Sequence, residues 1–106
     1  MLKRTKRRYL ALQVESTVAV DQTQLMSALW NAITKLYGEH GASQTGLTLI
    51  KYDPDEKLAV VRTNNTALNM TRASIATIIK IEEKPVAIHV LTVSGTIKAL
   101  HKNLKQ

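Results

Sequence analysis

Leu91-Thr92-Val93-Ser94-Gly95-Thr96-Ile97-Lys98-Ala99-Leu100 is the stretch on which the fold turns. It closes an apolar, β-branched run containing Val86, Ile88 and Val90, a pattern that reads as a strand buried on at least one face. The pattern breaks at Ser94-Gly95. There glycine frees the backbone, and either Ser94 or Thr96 carries a hydroxyl able to cap a helix. Lys98 follows, with His101, Lys102 and Lys105 beyond it, so residues 96–106 read as a short basic helix. A buried strand thus hands the chain to a basic helix at a set corner. Taken alone, the corner also has the composition of an ordinary strand-to-helix turn.

Upstream of the corner, Pro85 opens the last strand and Glu82-Glu83-Lys84-Pro85 closes the element before it, because a residue preceding proline avoids the helical region. That element is a helix from Asn64 or Asn65, either of which can cap it, to about Ile81. Leu68, Thr71, Ile75, Ile78 and Ile79 fall on one arc of it, with Arg72 at the arc's edge beside Ala76. Two readings of Arg72 stand: a stem lying on the core with its guanidinium in water, or a bidentate hold on a partner's carboxylate or phosphate. Residues 46–52 and 57–63 are strand-like runs joined by Asp53-Pro54-Asp55-Glu56, and so predict a hairpin. Residues 38–44 read as a polar loop.

The first half of the chain repeats this logic. Leu25, Met26, Leu29, Trp30, Ile33, Leu36 and Tyr37 recur at helical spacing behind Asp21 and Gln24, which are spaced as a capping box, and Gly38 stands where a C-terminal cap belongs. Trp30 on that stripe reads as core. Residues 9–15 alternate, with Leu10, Leu12 and Val14 on one face. The order strand, helix, strand, strand, helix, strand predicts an α+β fold. Its specific form is a ferredoxin-like sandwich (βαββαβ), an antiparallel sheet with two helices on one face, with the basic terminal helix added. The chain of 106 residues is expected to form one domain.

Charge is unevenly placed. The formal net charge of +7 lies in the two ends. Lys3, Arg4, Lys6, Arg7 and Arg8 form a basic arm over residues 1–8, and Lys98, Lys102 and Lys105 occupy the terminal helix. The seven basic and eight acidic residues between them nearly cancel. Basic ends on a neutral body suit a polyanion, since each cation that neutralises a phosphate releases counterions. Solvated charged tails have the same composition.

Enzyme chemistry finds no foothold. There is no cysteine, so no thiolate nucleophile or thiolate metal site, which fits a reducing, cytoplasmic setting. His40, His89 and His101 lack a second ligand at metal spacing, and Ser94 lacks the flanking pattern of a nucleophile elbow. Glu15 stands alone on its strand, and the acidic turn at 53–56 has no cation-loop spacing. No run is apolar enough to span a bilayer, and the basic N-terminus precedes an alternating strand instead of a signal core. Base stacking of the RRM kind needs aromatics on the central strands, and residues 57–63 carry none. Any RNA contact is therefore expected through phosphates. Val60 and Val90 are expected on the sheet face away from the helices, an exposed aliphatic surface of the sort that marks a protein partner.

Several segments in this order resemble the small archaeal and eukaryotic ribonuclease P protein subunits, called protein component 2 in archaea. They are Lys6-Arg7-Arg8-Tyr9-Leu10, then Gly46-Leu47-Thr48-Leu49-Ile50-Lys51-Tyr52-Asp53 returning to Val61-Arg62, then Thr71-Arg72-Ala73-Ser74. Val93-Ser94-Gly95-Thr96-Ile97-Lys98 completes the set and is the most specific. The resemblance implies an RRM-like sandwich with added helices, working in a ribonucleoprotein endonuclease that removes the 5′ leader from precursor tRNA. It implies that the RNA subunit, with Mg2+ bound there, is the catalyst. It also implies a TIM-barrel-like protein partner and self-association of such pairs into a heterotetramer, with no cofactor bound by this chain. Carried over by motif, Arg7, Arg8, Arg62 and Arg72 are candidates for RNA contact or its support, alongside Lys3, Arg4, Lys6, Lys98 and Lys102 from the charged ends. Ser94, Gly95 and Thr96 form the structural corner that sets the last helix. Two departures stand out: residues 63–71 are uncharged where relatives often carry charge, and Lys98 stands where arginine is common. A ferredoxin-like regulatory or self-assembling module and a generic ribosomal or RNA-binding protein are the competing readings.

Overall fold

A computed structural model describes residues 6–104. In chain order the elements are β1 (Arg7–Ser16), α1 (Gln22–Ser43), β2 (Thr48–Asp53), β3 (Leu58–Asn64), α2 (Leu68–Ala76), β4 (Lys80–Ile81), β5 (Lys84–Ser94) and α3 (Ile97–Leu104). The strands make one antiparallel sheet in the order β2-β3-β1-β5-β4. The chain is therefore α+β, and the four strands, two helices and terminal helix read from the sequence occur in the expected order, with β4 added.

One face of the sheet makes the main core. Leu10, Leu12 and Val14 of β1, Ala59 and Val61 of β3 and Val86 and Ile88 of β5 pack with Leu25, Leu29 and Ile33 of α1 and Ile75 of α2. The start of α1 behaves as its spacing predicts. The Asp21 carboxylate accepts from the Gln24 N–H at 2.8 Å, and the Gln24 amide oxygen accepts from the Asp21 N–H at 3.1 Å. Gly38, at φ 76°, interrupts the helix where a cap was expected. The chain then resumes helical geometry to Ser43 instead of looping, because Ala42 and Thr45 are buried and draw it back to the core. Thr45 accepts from the Thr63 hydroxyl at 2.8 Å, and Thr63 meets Thr71 of α2 at 3.2 Å. A buried hydroxyl relay therefore ties β3 to both helical ends.

The second helix departs from expectation. It ends at Ala76, not Ile81, after a 3-10 turn at Asn65–Ala67. Neither Asn64 nor Asn65 caps α2; the Asn64 amide donates to the Gln44 carbonyl instead. Lys80 and Ile81 pair with Pro85 and Lys84 in a hairpin whose two turn residues, Glu82 and Glu83, have φ of 52° and 66°. Ile81 is thereby buried, whereas Ile79, placed on the core arc by helical spacing, is 73% exposed.

The other sheet face is not an open aliphatic surface. Leu100 of α3, fully buried, packs on Ala11 of β1 and Val60 of β3, with Tyr9 and Leu104 around it. Full burial of a leucine contributes roughly 1.5–3 kcal/mol. Val60 is covered, and Val90 faces the main core. A bulge opposite Ala11 and Leu12 leaves Leu91 unpaired, so Val90 and Val93 both turn inward where strict alternation would separate them.

Candidate nucleic-acid interface

The register of the sheet brings the two charged ends together. Tyr9 pairs with Arg62 on one side and with Ser94 on the other, and Arg7 pairs with Asn64. Facing pairs share a sheet face, so Arg7, Tyr9, Arg62 and Ser94 stand on the face that carries α3, at one end of the sheet. Adjacent strands lie about 4.8 Å apart, so Arg62 and Ser94 are separated by roughly 10 Å across Tyr9. Charge that is almost a whole chain apart in sequence becomes local in space.

Gly95 meets the Arg8 side chain at an ordinary contact distance. Gly95 has no positive φ, so the backbone freedom expected of it is not used for a left-handed turn. A Cβ placed there would lie 3.4 Å from Nη1 of Arg8, which itself donates to the Arg7 carbonyl at 3.2 Å. Thr96, not Ser94, is the cap: its hydroxyl accepts from the Ala99 N–H at 3.1 Å, and its carbonyl accepts from the Leu100 N–H at 3.1 Å. Lys98 and Lys102 are one turn apart and stand about 200° around the helix from Leu100 and Leu104, which face the sheet. Both lysines are exposed, forming a basic stripe on the outside of α3.

Lys6 and Arg7 are exposed, and Arg8 and Arg62 are half-buried. The Nε of Arg62 is buried without a hydrogen-bond partner among the described residues. The described residues form an ion pair of Lys80 with Glu83 at 3.3 Å and a hydrogen-bonded pair of His89 with Glu15 at 2.9 Å. Glu15, read as solitary, thus has a cross-strand partner, though both side chains are more than half exposed and the pair is worth little. No basic residue of the cluster takes part in either pair. Arg72 is exposed on α2, in the helical layer behind the sheet, and is not brought to the cluster. Lys3 and Arg4 lie outside the described residues.

Tyr9, at the centre of the cluster, is the residue that composition did not single out. Its alternation marked it as outward-facing, but only the pairing of β1 with both β3 and β5 puts it between Arg62 and Ser94. Two grooves were also not legible in the sequence. One, of about 570 Å³, lies between α1 and the β4 hairpin and includes Lys35, Leu36, Ile78 and Ile79. The other, of about 590 Å³, lies between α1 and β2 and includes Met26, Trp30, Leu47 and Leu49. Trp30 is therefore only partly buried at the core's margin. Among the described residues no three His, Asp or Glu side chains are grouped to hold a metal ion, and no helix is long and apolar enough to cross a membrane.

Residues 8–105 match the Rpp14/Pop5 family. The chain is 29% identical to a ribonuclease P protein component 2 of Methanobrevibacter smithii, over 97% of this chain and 92% of that protein. It is 32% identical to the protein of the same name from Pyrococcus abyssi, over 93% of this chain and 84% of that one. The fold is similar to a chain in the cryo-EM structure of yeast ribonuclease MRP, with a TM-score of 0.74 and 21% identity over all of this chain and 96% of that one. The match spans the basic strand, the hairpin, both core helices and the Ser94-Gly95 corner, and the chain belongs to the Rpp14/Pop5 family.

Proposed function

We infer that this chain is a protein subunit of ribonuclease P, supporting the RNA that removes the 5′ leader from precursor tRNA. The observation that carries the reading is that Lys6, Arg7 and Arg62 lie at the end of the sheet from which α3 departs, without an ion-pair partner among the described residues, in a chain similar to ribonuclease P protein components. In this reading the chain is noncatalytic on its own and the RNA subunit performs the cleavage, with Mg2+ held at the RNA. The contacts to RNA are Lys6, Arg7, Arg8, Arg62, Lys98 and Lys102, joined by Lys3 and Arg4 of the arm and, from the other layer, by Arg72. Phosphate contacts of this kind position an RNA without reading its bases.

The partners that fit are the ribonuclease P RNA, precursor tRNA, a TIM-barrel-like protein subunit and a second copy of this chain, in the cytoplasm. A single domain of ferredoxin-like or RRM-like type fits the strand order β2-β3-β1-β5 with α1 and α2 on one face. In that description β4 is an added edge strand and α3 an added helix.

The test is precursor tRNA cleavage by the reconstituted holoenzyme across a salt series. Arg7→Ala with Arg8→Ala is expected to lower activity by roughly tenfold at low salt and by less as salt rises, because the two phosphate contacts that are lost carry part of the salt sensitivity. Unchanged cleavage across the series would remove the arm from the RNA interface.

A further inference from the structure

Resting on the reading of this chain as an RNA-binding subunit, we propose that docking of α3 joins the two basic ends into one surface for the phosphates of base-paired RNA, with Leu100 as its positioning residue. The outer sheet face is the surface on which single-stranded bases would stack on sheet aromatics. Here it is closed: Leu100 is fully buried on Ala11 and Val60, and Tyr9, the aromatic on that face of β1, packs into the same cluster with Leu104. What that side of the molecule offers instead is charge. Arg7 and Arg62 stand at the sheet end, and Lys98 and Lys102 run along the outside of α3. The helix of eight residues extends this charge by roughly 12 Å beyond the corner.

The lysines have this placement only because α3 is fastened at both ends. Thr96 caps its start, and Leu100 and Leu104 hold its underside on the sheet. Without the Leu100 contact, Lys98 and Lys102 would still be charged but would no longer be held on the same side of the sheet as Arg7 and Arg62. A phosphate ladder of defined shape then loses two of its contacts, although no charge has been removed. A flexible single strand would be far less sensitive to that loss of order. The chemistry selected is therefore a regular array of phosphates, as on a paired RNA stem.

The experiment measures binding of the full-length chain to a mixed-sequence RNA duplex and to a single strand of equal length, from low to moderate salt. The unaltered chain is expected to favour the duplex. Each phosphate contact contributes roughly 0.7–0.9 to the slope of log affinity against log salt, so Lys98→Ala with Lys102→Ala should lower the duplex slope by between one and two. Leu100→Ala should lower it by the same amount, and Leu100→Met, which refills the site, should restore it. An unchanged slope in Leu100→Ala, or a preference of the unaltered chain for the single strand, overturns this proposal while leaving the RNA reading in place. Failure of the unaltered chain to bind either RNA overturns both. If Leu100→Ala does not fold, the solvent-facing lysine pair still decides: an unchanged duplex slope in that variant overturns the proposal.

Discussion

Tyr52 shows how one side chain couples a strand edge to a distant loop. It stands on the inward face of β2, opposite Ala59, and its hydroxyl donates to the Val20 carbonyl just before α1. Burial pushes its pKa above the ordinary tyrosine value, and the nearby Asp21 carboxylate pushes the same way. Because the folded state holds the phenol proton more tightly than the unfolded state, the associated stability is fully present below pH about 10. It is lost as pH rises through the unfolded value toward the folded one. Tyr52→Phe is therefore expected to cost about 1 kcal/mol at pH 7, from the lost hydrogen bond, and to flatten the decline in Tm between pH 9 and 11. Thermal unfolding of both proteins over that range is the check; parallel alkaline declines would remove Tyr52 as the titrating group. Tyr52 was legible in the sequence as a strand residue of the hairpin, but its partner was not. Nothing local to Tyr52 announces a carbonyl 32 residues away.

At the scale of elements, the β4 hairpin is where sequence and structure part most clearly. The spacing of Leu68, Thr71, Ile75, Ile78 and Ile79 suits a helix to Ile81, yet α2 stops at Ala76 and the chain turns back through Glu82-Glu83. Both turn residues have positive φ, the geometry of a type I′ turn that favours Asn-Gly. Each glutamate held there costs roughly 1–2 kcal/mol in the unfavourable left-handed region. Replacing Glu82-Glu83 with Asn-Gly is expected to stabilise the chain by about 1–2 kcal/mol in urea unfolding, with no change in the m-value. Destabilisation would mean that the Lys80–Glu83 pair outweighs the backbone term, against its exposed position. The capping box at Asp21, the break at Gly38 and the Asp53-Pro54 turn were readable because each rests on local chemistry. The end of α2 was not, because pairing of Ile81 with Lys84 overrides a local helical pattern. The site divides in the same way. The sequence identified its charges, and only the bulge at Leu91 and the double pairing of β1 bring them together.

The whole molecule has two charged faces of different character, and this makes additivity a measurable property. Arg7, Arg62 and the α3 lysines share the outer side of the sheet, whereas Arg72 projects from the helical layer on the opposite side of the main core. A sheet and the helices packed on it place about 10 Å between their mid-planes, so Arg62 and Arg72 share no partner side chain. Substitutions so separated combine within about 0.5 kcal/mol, whereas neighbours that hold one ligand couple by 0.5–3 kcal/mol. In the reconstituted holoenzyme, Arg62→Ala with Arg72→Ala is therefore expected to reduce RNA affinity by the product of the single effects. Arg62→Ala with Lys98→Ala should fall short of that product, because loss of either cation already loosens the shared phosphate array. The reverse pattern, coupling between Arg62 and Arg72 and independence of Arg62 and Lys98, would place the RNA around the edge of the sheet and remove α3 from its path. The binding energy would then run along the Thr63–Thr71 link between β3 and α2, the only hydroxyl–hydroxyl contact among the described residues that joins the two layers.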